Sequence, residues 1–226
     1  MSNLLLAAVL WFVIHLGIGG VSRRAWLASR WGERGFRVAF SLASILALLY
    51  LIHARAEAKG DYLWTAPAPL RLALELLMLP ALWLFLASIV RPNPTLLGAG
   101  KAGAFPVRGV QRITRHPMLW AFAIWATVHI AVKGDSASLV FFGAFAVTAL
   151  AGMPSVDAKL AAADPAAWNA FADQTSILPF AAILRGRTKW GPSEISGWEL
   201  VAAATIWMGL IWGHGLILGY SIWPVF

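Results

Sequence analysis

The stretch Gln111–Asp135, QRITRHPMLWAFAIWATVHIAVKGD, sets a basic cluster (Arg112, Arg115) and a His–Pro pair (His116, Pro117) ahead of a short apolar helix. A second histidine, His129, stands near the far end of that helix. A charged side chain at mid-bilayer costs roughly 2.5 kcal/mol or more. Imidazole escapes most of that cost by staying neutral, and a neutral imidazole is also a metal ligand. The stretch therefore predicts a membrane helix that carries a ligand-type side chain into the apolar layer.

The surrounding chain fits. Of 226 residues 60% are hydrophobic, mean hydropathy is +0.71 and 12% are charged, about half the charged share of a soluble domain. The apolar residues fall in long blocks, which predicts an all-α, polytopic membrane helical bundle forming a single domain over residues 1–226. The net charge of +8 is accounted for by basic loops against anionic membrane lipids, with no nucleic-acid partner. There is no cysteine, which excludes disulfides, zinc fingers and thiolate haem ligation. No Lys or Arg precedes the apolar start MSNLLLAAVLWFVIHLGIGG, so it is read as a retained first span rather than a signal peptide.

Six spans are predicted, at about 3–20, 36–54, 70–90, 117–132, 136–153 and 198–218. Fourteen of the 18 Lys and Arg residues then fall on one side, among them Arg23, Arg24, Arg91, Lys101, Arg108, Arg112, Arg115 and Lys159. Four (Arg55, Lys59, Arg71, Lys133) fall on the other. The basic side is cytoplasmic, which puts both termini outside. The longest cytoplasmic loop is 154–197. Within it Asp164–Pro165 opens a short helix with Trp168 and Phe171 as its apolar edge. Pro179 breaks it, and PFAAIL lies in the headgroup region. Trp26, Trp31, Trp64, Trp198 and Trp223 fall at interfaces as belt anchors.

Helical rise turns these spans into depths (~1.5 Å per residue). His53 sits at the outer end of the second span, His129 near the outer end of the fourth and His214 in the last turns of the sixth. His15 on the first span lies deeper. His116 is at the cytoplasmic mouth, ~20 Å and roughly 220° from His129 along one helix, so those two cannot share a metal. Without cysteine, and without acids near mid-span, a compact zinc or di-iron site lacks ligands. A haem needs one or two imidazoles and an apolar slot between helices, and it is the cofactor the residues favour. Glu75 is the carboxylate placed within a span. It either pairs with Arg71 four residues earlier or relays protons to a bound cofactor. Asp135 caps the fifth span. Arg108, Arg112 and Arg115 are read as meeting lipid phosphates, with holding an anionic ligand as the alternative.

Three segments together resemble the NnrU family, whose plant relatives are 15-cis-ζ-carotene isomerases: GERGFRVAFSLAS (Gly32–Ser44), RITRHP followed by Trp125, His129 and Gly134, and TSILPFAAILRGR (Thr175–Arg187). The resemblance implies an integral protein of the bacterial inner membrane that holds haem b through histidines. Carried over, His15 and His129 are the axial metal ligands and His53 a further important residue; His53 or His214 is the alternative partner of His129. Ala126 stands where some plant members carry a cysteine. The activity implied is redox-gated cis–trans isomerisation of a lipophilic polyene. A second implied role is haem-based sensing or accessory work in nitric-oxide metabolism and denitrification. Membrane methyltransferases also begin a helix with RHP, but the paired Glu they use near S-adenosylmethionine is missing here; Asp157 stands alone.

Overall fold

The computed structural model describes residues 1–96 and 106–219, so Lys101 and Trp223 lie outside the described residues. The described chain is all-α. Four helices are long and apolar enough to cross a membrane: α2 (Val21–Glu57), α3 (Ala68–Val90), α6 (Ser136–Ala163) and α9 (Gly197–Leu218). Helix α1 (Ser2–Phe12), prolonged by a π-helical turn over Val13–Ile18, and α5 (Pro117–Lys133) are shorter apolar helices. The short α4 (Val110–Ile113), α7 (Pro165–Gln174) and α8 (Ala181–Leu184) gather at one end of the bundle.

Helix α5 is the centre. It packs against α6 on one side and α3 on the other; α9 leans on α3, and α1 and α2 flank α6. Small residues permit this closeness: Ala121, Ala123 and Ala126 of α5, Ala144, Ala146 and Ala149 of α6, and Ala81 and Ala87 of α3 are all buried. Long apolar side chains point outward instead, such as Leu46 at 67% and Val201 at 67% exposure. That is the inverse of a soluble core, and it suits lipid as solvent.

Sequence punctuation sets the helix ends. Pro117 occupies the first turn of α5, where its missing N–H goes unmissed. Gly134 ends α5 in the left-handed conformation at φ +64°, and a β-carbon there would lie 1.8 Å from the Trp64 carbonyl oxygen. That close approach lets the 58–67 loop clip over the α5–α6 turn: the Leu63 and Trp64 amides donate to the Gly134 carbonyl at 2.7 and 3.1 Å. Asp135 then caps α6, accepting from the Ser138 amide at 2.7 Å, and Asp164 caps α7 from Ala167 at 3.1 Å.

Two expected boundaries shift. The segment before the second span, read as a loop, is helical from Val21 and is broken only at Gly32 (φ +73°, ψ 157°). There Arg24 reaches across the break to Glu33, which Arg37 also meets at 3.0 Å. The loop expected from 154 begins as helix, because α6 runs through Pro154 to Ala163. A proline inside a helix removes one backbone bond, and the two unbroken turns beyond it carry Asp157 to the α5 entrance. Helix α7 ends at Gln174, before Pro179 is reached.

Candidate functional site

At the Gly134 end, α3, α5 and α9 line a partly open cavity of about 380 Å³, within the range of ligand pockets. Three sequence-predicted residues line it: His129, His214 and Glu75. His129 and His214, on separate helices, face each other with ring centres 6.4 Å apart and planes 27° from parallel. Their backbones fix the tautomer. His129 Nδ1 lies 2.7 Å from the Trp125 carbonyl and His214 Nδ1 2.6 Å from the Leu210 carbonyl. A carbonyl oxygen only accepts, so each Nδ1 carries the proton and each Nε2 keeps its lone pair. That is the arrangement of a metal-ligating imidazole.

The residues present fit a haem. A haem takes one or two imidazoles and an apolar slot between helices, and the cavity lining supplies residues of both kinds. Met78, Leu82, Trp125 and Trp207 make the walls apolar, while Arg71 and Lys133 stand among the lining residues. The Trp207 indole donates to the Glu75 carbonyl at 3.1 Å, which joins α9 to α3 beside the site. Trp207 was missed from the sequence; its signal was a spacing of seven from His214, two turns along one face. The Arg71–Glu75 pair is not formed. Glu75 Oε1 is buried without a hydrogen-bond partner, while Arg71 sits exposed.

His15 is not brought to this cavity. It lies on the π-helical turn, stacked on Trp11 at 3.8 Å with Phe40 of α2 at 5.7 Å. The carried-over His15–His129 pair is therefore not juxtaposed, because α1 packs on α2 and α6 rather than on α5. The His15 ring is nonetheless prepared in the same way, with Nδ1 donating to the Trp11 carbonyl at 3.0 Å. His53 is exposed at the end of α2, 3.5 Å from Glu57, and also outside the cavity.

The RHP motif builds a second polar centre at the opposite end. The Arg115 guanidinium donates twice to Asp157 Oδ2, at 3.0 and 2.7 Å, and His116 Nε2 donates to Asp157 Oδ1 at 2.7 Å. His116 is 1% exposed. Arg115 also lies over the Trp168 ring at 5.1 Å. The segment around Ser176 closes the cluster: the Arg115 amide donates to the Ser176 carbonyl at 3.0 Å, Thr114 Oγ1 to that of Ile177 at 2.8 Å, and the Trp120 indole to the same carbonyl at 2.8 Å. Arg112 pairs with Glu194 at 3.4 Å. The reading of Arg112 and Arg115 as lipid-phosphate contacts is thus corrected. Both are half-buried and held by carboxylates from distant segments.

Bundle and cavity together define a multi-pass helical membrane protein with a two-imidazole pocket near one end. The chain belongs to the NnrU family, whose profile, described as NnrU protein, matches residues 3–222. It is 26% identical over 230 residues to 15-cis-zeta-carotene isomerase, chloroplastic, from Zea mays, an alignment covering 96% of this chain and 61% of that protein. No solved structure matches.

Proposed function

We propose that the protein is a haem b-dependent, redox-gated cis–trans isomerase of a lipophilic polyene. It is held in the bacterial inner membrane by six spans with both termini on the outer side. The observation that carries the reading is the facing pair His129 and His214, each with Nε2 free, in an apolar cavity between three helices. Kinship to a protein named as a carotene isomerase supports the reaction class. The two shorter apolar helices complete the count of six: the 17 residues of α5 reach ~25 Å, near the lower limit for a span.

When bound, haem supplies a redox-switchable iron able to share electron density with a conjugated chain and lower its bond order. The protein's own residues do the rest. His129 and His214 hold the metal through Nε2. Trp125, Trp207, Met78 and Leu82 exclude water and offer flat and flexible surface to a polyene. Glu75 holds a proton at its buried, unpartnered Oε1 beside the ligand, and the cations Arg71 and Lys133 favour a ligand with carboxylates at its edge.

The test is optical and chemical. Purified protein is expected to show a Soret band that shifts on reduction, to lose it in His129→Ala, and to isomerise a cis-polyene only when reduced. A colourless preparation that binds S-adenosylmethionine would overturn the reading. Haem that binds nitric oxide without isomerising any cis-polyene would move the function to gas sensing.

A further inference from the structure

At the basic end of the bundle the charges of Arg24 on α2 and Lys159 on α6 bear on each other, with too little negative charge between them. We infer that these two cations form a discrete site for the phosphate group of an anionic membrane phospholipid. The site lies outside the two-imidazole cavity and does not depend on the haem reading.

Over residues 21–31, the part of α2 before the break at Gly32, the half-buried residues are Arg24, Leu27 and Ala28, which recur at helical spacing. That face turns Arg24 inward, where its guanidinium lies over the buried Phe36 ring at 5.6 Å. Lys159 stands on α6 past Pro154 and is also half-buried. Among the described residues it has no hydrogen bond or ion pair. The acid of α6, Asp157, is two residues away and ~200° around the helix, and it is taken by Arg115 and His116. Glu33 is shared by Arg24 and Arg37, so one negative charge meets two positive ones, and Lys159 adds a third. Arg23 rests on the adjoining π-helical turn, where a β-carbon at Gly17 would lie 3.3 Å from its Nη1.

A half-buried ammonium beside a like charge is costly without an anion. A phosphodiester answers it, because its unesterified oxygens accept from the guanidinium fork and the ammonium together. The lipid source follows from the outer face of the same segment. Trp26 and Trp31 are each 57% exposed, and Arg30 lies over the Trp26 ring at 5.0 Å. Exposed indoles interleaved with arginines belong at the headgroup layer, the depth at which a phospholipid presents its phosphate.

The full chain in nanodiscs of phosphatidylcholine, with or without phosphatidylglycerol, tests this by native mass spectrometry of the retained lipid and by thermal midpoint. Wild-type protein is expected to retain phosphatidylglycerol in preference to phosphatidylcholine and to melt higher in its presence. Lys159→Met and Arg24→Gln are each expected to weaken that retention roughly tenfold, the loss of one charge-assisted contact. Arg34→Gln and Arg185→Gln remove the same charge at exposed positions of the basic end and are expected to retain the lipid as wild type does. In phosphatidylcholine alone Lys159→Met is expected to melt no lower than wild type, because no partner is lost. Equal weakening in all four variants would mean a diffuse charge effect and overturn the site. A lower midpoint for Lys159→Met in phosphatidylcholine alone would give the lysine a structural partner, with the same consequence. If inorganic phosphate raises the wild-type midpoint as phosphatidylglycerol does, the ligand is a soluble anion and the lipid assignment fails.

Discussion

Gly134 shows how much a single residue can fix. Its φ of +64° and the 1.8 Å approach of the Trp64 carbonyl to an added β-carbon combine two penalties, of which the left-handed backbone alone is ~1–2 kcal/mol. Gly134→Ala is expected to destabilise the protein by more than about 2 kcal/mol, read as a fall in thermal midpoint in detergent. Asp135, beside it, sets a pH dependence. Burial alone would raise its carboxyl, but the Ser138 hydroxyl and amide and the Arg55 charge outweigh burial and hold it below the ordinary aspartate value. Because the folded value is the lower one, this stabilisation is complete above about pH 4 and is lost as pH falls through the folded value. Asp135→Asn is expected to remove that acid-side slope, as the difference between the two proteins' thermal midpoints from pH 6 to pH 3. The caps Asp135 and Asp164 were legible in the sequence because their partners lie three residues on. The Arg115–Asp157 pair was not, because its members are 42 residues apart and meet only once α6 passes Pro154. Local spacing also misled at Arg71 and Glu75, where the cavity draws the carboxylate inward.

Among the elements, α2 departs most from its expected form. Five arginines between positions 23 and 37 read as loop, yet they lie on helix with one break at Gly32. That residue's φ and ψ fall in a region essentially closed to other residues, with a strain of ~1–3 kcal/mol. Gly35, three residues on, is inside the helix, and its added β-carbon meets Trp31 Cβ at an ordinary 3.4 Å. Gly32→Ala should therefore lower the thermal midpoint, and Gly35→Ala should raise it slightly by ~0.5–1 kcal/mol of helix propensity; scanning fluorimetry separates the two. Opposite signs are the decisive outcome. Charge density marked this segment as basic, but charge carries no helical period, so the helix went unseen.

For the whole molecule, hydropathy made the all-α membrane bundle legible, because lipid demands internally bonded helices. It could not say which histidines would meet. All four imidazoles within spans had suitable depths, and the choice among them came from helix order in space: α3, α5 and α9 share a cavity, whereas α1 lies beyond α6. The proposed topology has a direct check, helped by the lack of native cysteine. In intact spheroplasts a membrane-impermeant maleimide is expected to label Lys59→Cys. It should label Arg185→Cys only after permeabilisation; both positions are exposed. The reverse pattern would invert the bundle.

The wide turn beneath His15 has a bearing on ancestry. In it the Gly19 amide reaches back five residues to the Ile14 carbonyl at 2.8 Å, one more than an α-helix spans, which is how an inserted residue is absorbed without unwinding its neighbours. A chain one residue shorter between Trp11 and Gly19 would wind on as plain α-helix and emerge about 100° further round the axis. Its first imidazole would then be posed toward a different neighbour. The count of residues across this turn becomes a marker, readable in any relative, of whether its leading histidine shares the lodging on Trp11 seen here.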